Sequence, residues 1–226
     1  MALILKNDLY GNIRIDSNRI IGVMGNNYAK FIHMIKGNNF FLIFKADEFY
    51  TNKVDNEISL YFKNKENIKG NIEIVLNEFN LDNSFLNKSI NDLSNGEKKL
   101  LKYILAFISN NKIIIIDEPY LDLDYNLKKK IKSLLQRIIY ETDKTIIIGS
   151  SDSNVIYELC SSVLLLDRTY CYDKTINIFS NKEILSKYHI DIPEIVQFVD
   201  LMKEKNILID YSYDIRDLIK DVYKCV

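Results

Sequence analysis

Four consecutive isoleucines, Ile113–Ile116, run directly into Asp117, Glu118 and Pro119. An unbroken β-branched run suits a strand buried on both faces, as in a parallel sheet covered by helices. Ending that strand in two acids places both at the sheet's C-terminal edge, where open α/β sheets bind their ligands. Few chains need such a segment, and those that do must surround it with apolar helices and further buried strands.

The rest of the sequence supplies them. Residues 12–15 alternate polar and apolar, and Ile20–Met24 is apolar apart from Gly22, so a strand is predicted to lead into a turn at Gly25. Phe31, Ile32, Met34 and Ile35 predict a short helix, and Phe40–Phe44 a second strand. Ile72, Val75, Leu76 and Phe79 fall on a helical stripe within a mostly helical stretch over 54–92. Helices are also predicted after Gly96 through about Phe107, along Ile131, Leu134, Leu135, Ile138 and Ile139, and around Val155–Cys160. Thr145–Ile148 and Val163–Leu166 read as strands. Strands alternating with helices imply an α/β fold, a mostly parallel sheet with helices on its faces. From about Ser180 the pattern becomes helical; Pro193 suits a helix's first turn, and Ile215, Leu218, Ile219 and Val222 share a face.

Composition narrows the class. A chain of 226 residues makes one large domain, or a domain with a small appendage. With 47% hydrophobic and 27% charged residues it is not a mostly disordered chain. Thirty basic against 31 acidic residues, net −1, gives no sign of a polyanion-binding protein. The run Lys128-Lys129-Lys130-Ile131-Lys132 is read as the solvated face of an amphipathic helix. Apolar runs such as Phe40–Phe44 are too short to cross a bilayer, and the opening MALILKND lacks the basic and apolar regions of a signal peptide. Any membrane role is therefore expected to be peripheral. Cys160, Cys171 and Cys225 lack metal-type spacing, which points to free thiols in a reducing cytosol.

The chemistry concentrates in two stretches. Asp117 is suited to hold Mg²⁺, and Glu118 to polarise an attacking water. Upstream, Leu93-Ser94-Asn95-Gly96-Glu97 precedes a helix, so hydroxyl and backbone N–H groups at its N-terminus are placed to bind a phosphate. The two histidines, His33 and His189, sit in no motif and are read as structural or solvent-facing.

Together these elements carry a family resemblance. Leu93–Glu97 resembles the signature motif of ATP-binding cassette (ABC) ATPases, Ile113–Pro119 their Walker B strand, and Tyr120-Leu121-Asp122-Leu123-Asp124 their D-loop. Order and spacing match from about Ile13 to Phe179. The resemblance implies a P-loop NTPase fold: a parallel sheet flanked by helices, a reduced antiparallel β subdomain and an α-helical subdomain. The domains expected are an ABC ATPase domain over 1–180, a helical subdomain over 46–108, and a helical C-terminal extension over 181–226. ATP and Mg²⁺ are the implied cofactors.

Other motifs of the family are eroded. A working Walker A loop is G-x-x-x-x-G-K-[ST], whose Lys meets phosphate and whose hydroxyl meets Mg²⁺. Counted from Gly22, Asn27 replaces the last glycine, Tyr28 the lysine and Ala29 the hydroxyl residue. Gly25, Asn26 and Asn27 remain candidate nucleotide contacts. Lys45 stands where the family has the Q-loop Gln, and Ser151 where it has the switch His. Tyr10 is the candidate for stacking on adenine.

Two further segments, Val54-Asp55-Asn56-Glu57-Ile58 and Ile190-Asp191-Ile192-Pro193-Glu194 with the Leu201–Ile207 helix, resemble the ATPase subunits of energy-coupling factor (ECF) transporters. By that resemblance the chain pairs head-to-tail with a standard ATPase partner. It offers Ser94, Asn95, Gly96, Glu97 and Asp124 to the partner's ATP, while its own site binds ATP weakly or not at all. The pair would act on a transmembrane component from the cytoplasmic face, with no nucleic-acid partner. The alternatives are a non-hydrolytic ABC-like scaffold and a soluble ABC protein outside transport.

Overall fold

The computed structural model describes residues 2–35, 40–43, 49–61, 72, 76–77, 81–207, 209–212, 218–220 and 222–223. The chain divides into two compact units, Met1–Gly37 with Ile147–Val226, and Asn38–Ile146.

The first unit begins with an antiparallel hairpin, β1 (Ala2–Asn7) and β2 (Gly11–Asp16), in register from Ala2↔Asp16 to Asn7↔Gly11. Leu5, Ile13 and Ile15 are buried while Ile4 is exposed, the alternation of a sheet with one covered face. β3 (Ile20–Gly25) leads into α1 (Tyr28–His33). It pairs in parallel with β7 (Ser162–Leu166), which pairs antiparallel with β8 (Tyr170–Lys174). β3 and β7 are buried almost throughout, as their unbroken apolar runs require. Gly22 is inside β3, where an added Cβ would stand 2.5 Å from Ile156 Cγ2, so its role is close packing.

The second unit holds β4 (Phe40–Ile43) in parallel register with β5 (Ile113–Asp117), and the helices α2 (Val54–Leu60), α3 (Ser84–Asn87), α4 (Asn95–Ile108) and α5 (Tyr125–Glu141). Ile114, Ile115 and Ile116 are fully buried. α5 buries Ile131, Leu134, Leu135 and Ile138, so the lysines at 128–132 do lie on an amphipathic helix. Each such aliphatic side chain contributes roughly 1.5–3 kcal/mol on burial. β6 (Thr145–Gly149) starts in the second unit and ends in the first.

Past β6 the first unit continues with α6 (Ser153–Leu159), α7 (Thr175–Phe179), α8 (Lys182–Tyr188) and α9 (Glu194–Glu204). Pro193 is the N-cap of α9, one residue before its first turn. Val199, Ile209 and Leu218 form a small apolar cluster with Val222 beside it, but Ile219 is 48% exposed, so the shared face read from the sequence holds only in part. Ile215 lies outside the described residues, as do Lys45, Val75 and Phe79. The sequence reading does not predict β1 or β8: Tyr170–Lys174 carries no apolar run, and the apolar run Ala2–Leu5 is short. Tertiary pairing recruits them.

Candidate functional site

In the second unit the sequence motifs meet physically. Ser94 is the N-cap of α4, with extended backbone, and its Oγ accepts from the Glu97 amide at 3.2 Å. Glu97 Oε2 accepts from the Ser94 amide at 2.9 Å, closing a capping box. Glu97 Oε1 lies 2.8 Å from Lys88 Nζ. The lysine's hydrogen bond, then that of the Ser94 amide, holds the Glu97 carboxyl below its ordinary range. The amides of Asn95 and Gly96 stand in the first turn, where a helix offers them no acceptor. An anion approaching this end meets those amides, the Ser94 hydroxyl, the helix dipole and the nearby Lys88 ammonium. An added Cβ on Gly96 would lie 3.1 Å from Leu127 Cδ1, so the first turn packs closely on α5.

Asp117 and Glu118 both sit at the end of β5, half-buried. Glu118 has φ 48° and Asp122 φ 60°, left-handed conformations that cost a non-glycine residue roughly 1–2 kcal/mol each. Two side chains from α4 hold this loop. Lys99 Nζ donates to the Glu118 carbonyl at 2.6 Å and to the Leu121 carbonyl at 3.2 Å. Tyr103 Oη donates to the Pro119 carbonyl at 3.1 Å. The loop ends at Asp124, the N-cap of α5, whose Oδ1 accepts from the Leu127 amide at 2.9 Å. Signature, Walker B and D-loop candidates are thus one connected structure.

Glu57, from the ECF-like segment, is fully buried. Its Oε2 accepts from the Tyr50 and Thr51 amides at 3.0 and 2.8 Å, folding the turn before α2. That turn reaches the signature region through Val54 N to Lys88 O (3.2 Å), Ile90 N to Asn52 O (2.9 Å) and the Lys53↔Ser89 bridge.

In the first unit the segment that resembles Walker A is tied to its neighbours by side-chain hydrogen bonds. Gly25 ends β3 at φ 104°, and an added Cβ would stand 2.0 Å from the Leu166 carbonyl oxygen. The turn therefore starts at Gly25, three residues beyond Gly22, and only Asn26 and Asn27 separate β3 from α1. Asn26 Nδ2 donates to Asp167 Oδ1 at 3.1 Å, and Asn27 Nδ2 to Tyr10 Oη at 3.3 Å. Tyr10 Oη donates onward to the Asp167 carbonyl at 2.6 Å. The Tyr10 ring meets Phe31 and Tyr170 edge-on at 6.0 and 6.5 Å, so the adenine-stacking candidate is engaged in an aromatic cluster. Tyr28, in the lysine position, lies with its ring 3.0 Å from where a Cβ on Gly149 would be. Ser151 is exposed beside a polar cavity of about 670 Å³ lined by Asp152, Asn154 and Glu194 among others.

These residues do not fit a tightly held Mg²⁺-triphosphate. A phosphate here would meet the Asp167 carboxylate beside Asn26, with a phenol where an ammonium is needed, and Ala29 supplies no hydroxyl for a metal. Among the described residues no group of three or more His, Cys, Asp or Glu is placed to hold a metal ion. The signature end of α4 does fit a phosphate.

Lys88, Lys99, Tyr103 and Asp167 escaped the sequence reading. A signal existed for two of them. Lys99 and Tyr103 are four apart within an otherwise apolar helix stripe, so they emerge on one face.

The fold, with the joined segments that resemble signature, Walker B and D-loop, is that of the ABC ATPase domains among the P-loop NTPases. Residues 35–156, more than half the chain, match the family described as "AAA domain, putative AbiEii toxin, Type IV TA system", and the chain belongs to that family. It is 27% identical over 172 residues to the energy-coupling factor transporter ATP-binding protein EcfA2 of Staphylococcus epidermidis, covering 73% of this chain and 60% of that one. It is 28% identical over 153 residues to EcfA3 of Oenococcus oeni, covering 66% and 53%. The chain thus spans about three fifths or less of these relatives' length. Among solved structures, CbiO1 of Clostridium perfringens, part of the CbiONQ ABC transporter complex, superposes with a TM-score of 0.63 at 17% identity, covering 87% of this chain and 96% of that one. That likeness shows a shared fold. No described helix is long and apolar enough to cross a membrane.

Proposed function

We propose that this chain is an ABC/ECF-type ATPase subunit that pairs with a standard ATPase subunit and completes the partner's ATP site. The observation that carries this reading is the contrast between its two halves. The signature end of α4 is built and open: a closed capping box, Lys88 at 2.8 Å from Glu97, and first-turn amides facing outward from the helix start. The Walker A turn is shortened and tied to Asp167 and Tyr10.

ATP with Mg²⁺ supplies the phosphoryl chemistry of this family. In the composite site Ser94, Asn95, Gly96 and Glu97 bind and orient the γ-phosphate end of nucleotide held by the partner, and Asp124 faces the same interface. For this chain's own nucleotide, Asp117 is the candidate metal ligand and Glu118 the candidate base, and Gly25, Asn26 and Asn27 are the candidate nucleotide contacts. Weak binding or none is expected there. Residues 1–180 form the ATPase domain with a helical subdomain over 46–108, and 181–226 the extension. The pair sits peripherally on the inner membrane face and drives a transmembrane component through the surface near residues 45–58. The names of the ECF relatives support that placement.

The test is ATP hydrolysis by the complex of this chain and its ATPase partner, native against Ser94→Arg. A large loss is expected, because the bulky cation blocks the helix start. Unchanged hydrolysis makes this chain a non-hydrolytic scaffold instead. A second reading, an ABC protein outside transport, draws on the toxin description of the matched family. Absence of the chain from the membrane fraction of its cell would favour it.

A further inference from the structure

The loop between the Walker B acids and Asp124 is not held by its own turns alone. Leu121 N donates to Glu118 O at 3.2 Å and Leu123 N to Tyr120 O at 3.3 Å, both at the long end for amide bonds. Within six residues the chain must also hold Glu118 and Asp122 in the left-handed region. Backbone in sparsely populated conformations persists only where its surroundings over-determine it. Here the surroundings are α4. Lys99 is 8% exposed, and its ammonium supplies short, charge-assisted bonds to two carbonyls of the loop. Tyr103, one helical turn on and fully buried, grips the carbonyl between them in sequence, Pro119. The Glu118 carbonyl therefore accepts from both Leu121 N and Lys99 Nζ.

A buried ammonium is costly unless several acceptors surround it. This one lies on the signature helix itself, five residues from Ser94, and reaches the segment that carries Glu118 and leads to Asp124. The motifs offered to a partner are thereby fixed to one another by side chains outside any of them.

We propose that Lys99 is a positioning residue, which with Tyr103 locks the Glu118–Asp124 loop to the signature helix so that Ser94 and Asp124 are presented to the partner's nucleotide as one preset surface. This rests on the composite-site reading above. Lys99 acts by fixing where its neighbours stand.

Two measurements separate the lock from the reading it rests on. The first is amide hydrogen exchange on the full chain. In Lys99→Met, exchange at Leu121 and Leu123 is expected to rise at least ~10-fold, while Ile114–Ile116 of β5 keep native rates. Tyr103→Phe, which removes one hydroxyl and keeps the ring, is expected to produce a smaller rise at the same amides. It also serves where Lys99→Met fails to fold. The second is ATP hydrolysis by the complex. Lys99→Met is expected to lower kcat ~10-fold or more with KM for ATP within ~2-fold, since the partner holds the nucleotide. Native exchange at Leu121 and Leu123 in both variants overturns the lock, as does a rise in KM with kcat unchanged. If Ser94→Arg leaves hydrolysis intact, the composite-site reading fails on its own, and the exchange result still decides whether the lock exists.

Discussion

Lys88 Nζ lies 2.8 Å from Glu97 Oε1, while the other oxygen of the same carboxylate accepts from the Ser94 amide. One side chain thus joins the segment before the signature to the helix after it. Glu97 closes the cap that shapes the signature turn and fixes the nearest cation to it.

Glu97→Ala is expected to destabilise the chain by about 1 kcal/mol, the usual worth of a cap. Glu97→Gln keeps an acceptor for the Ser94 amide and is expected to lose less. The carboxyl is held below its ordinary value of 4.5, so its contribution is present above that pH and lost as pH falls through the folded value. The stability gap between native chain and Glu97→Gln should therefore narrow on acidification. Urea unfolding across that range checks it, and a gap independent of pH counts against the assigned pair.

Lys144 is 7% exposed, and burial lowers its pKa from 10.5 to about 8. Its Nζ donates to the Asn111 carbonyl at 2.8 Å and to the Ser109 carbonyl, tying the loop before β5 to the start of β6. The folded value is below the unfolded one, so between the two the unfolded chain binds more protons. Stability from this group rises with pH from about 8 to 10.5. Lys144→Met should abolish that rise, read as the difference between the two proteins' pH–stability curves. A parallel pair of curves contradicts the assignment.

Gly25→Ala meets the Leu166 carbonyl oxygen at 2.0 Å in a left-handed conformation, and neither backbone can yield without parting β3 from β7. A loss of about 3 kcal/mol or more is expected. Gly11, at φ 71° with open space around it, supplies the control: Gly11→Ala should cost only about 1 kcal/mol. Equal losses from the two would mean that the contact, as opposed to the conformation, contributes nothing.

Asp124 caps α5 through the Leu127 amide and is also a residue assigned to the partner interface. Asp124→Ala should cost about 1 kcal/mol of stability, whereas Asp124→Asn keeps a capping oxygen and should be nearly neutral. If Asp124 faces the partner's nucleotide, the Asn variant nonetheless lowers hydrolysis by the complex. Native hydrolysis in Asp124→Asn would remove this residue from the composite site.

What the sequence determined by itself is the class of fold and the segments that resemble a family's motifs. The Ile113–Ile116 run requires burial on both faces, because period and β-branching are local properties that no neighbour can change. The helix start after Ser94 is also legible, though the capping box that Ser94 forms with Glu97 appears only in the structure. Tyr28 and Ala29, where the resemblance expects a lysine and a hydroxyl residue, can likewise be counted off the chain. Tertiary structure decided the rest. It supplied the reason the predicted turn at Gly25 needs glycine, since an added Cβ there would stand 2.0 Å from the Leu166 carbonyl oxygen. It joined Asn26 to Asp167 and Asn27 to Tyr10, partners 141 and 17 residues away. And it turned Lys99 and Tyr103, two positions on the helix after the signature, into donors to the Glu118, Leu121 and Pro119 carbonyls. Hydrogen bonds between residues far apart in the chain leave no period behind them, so only the packed structure shows where such side chains end.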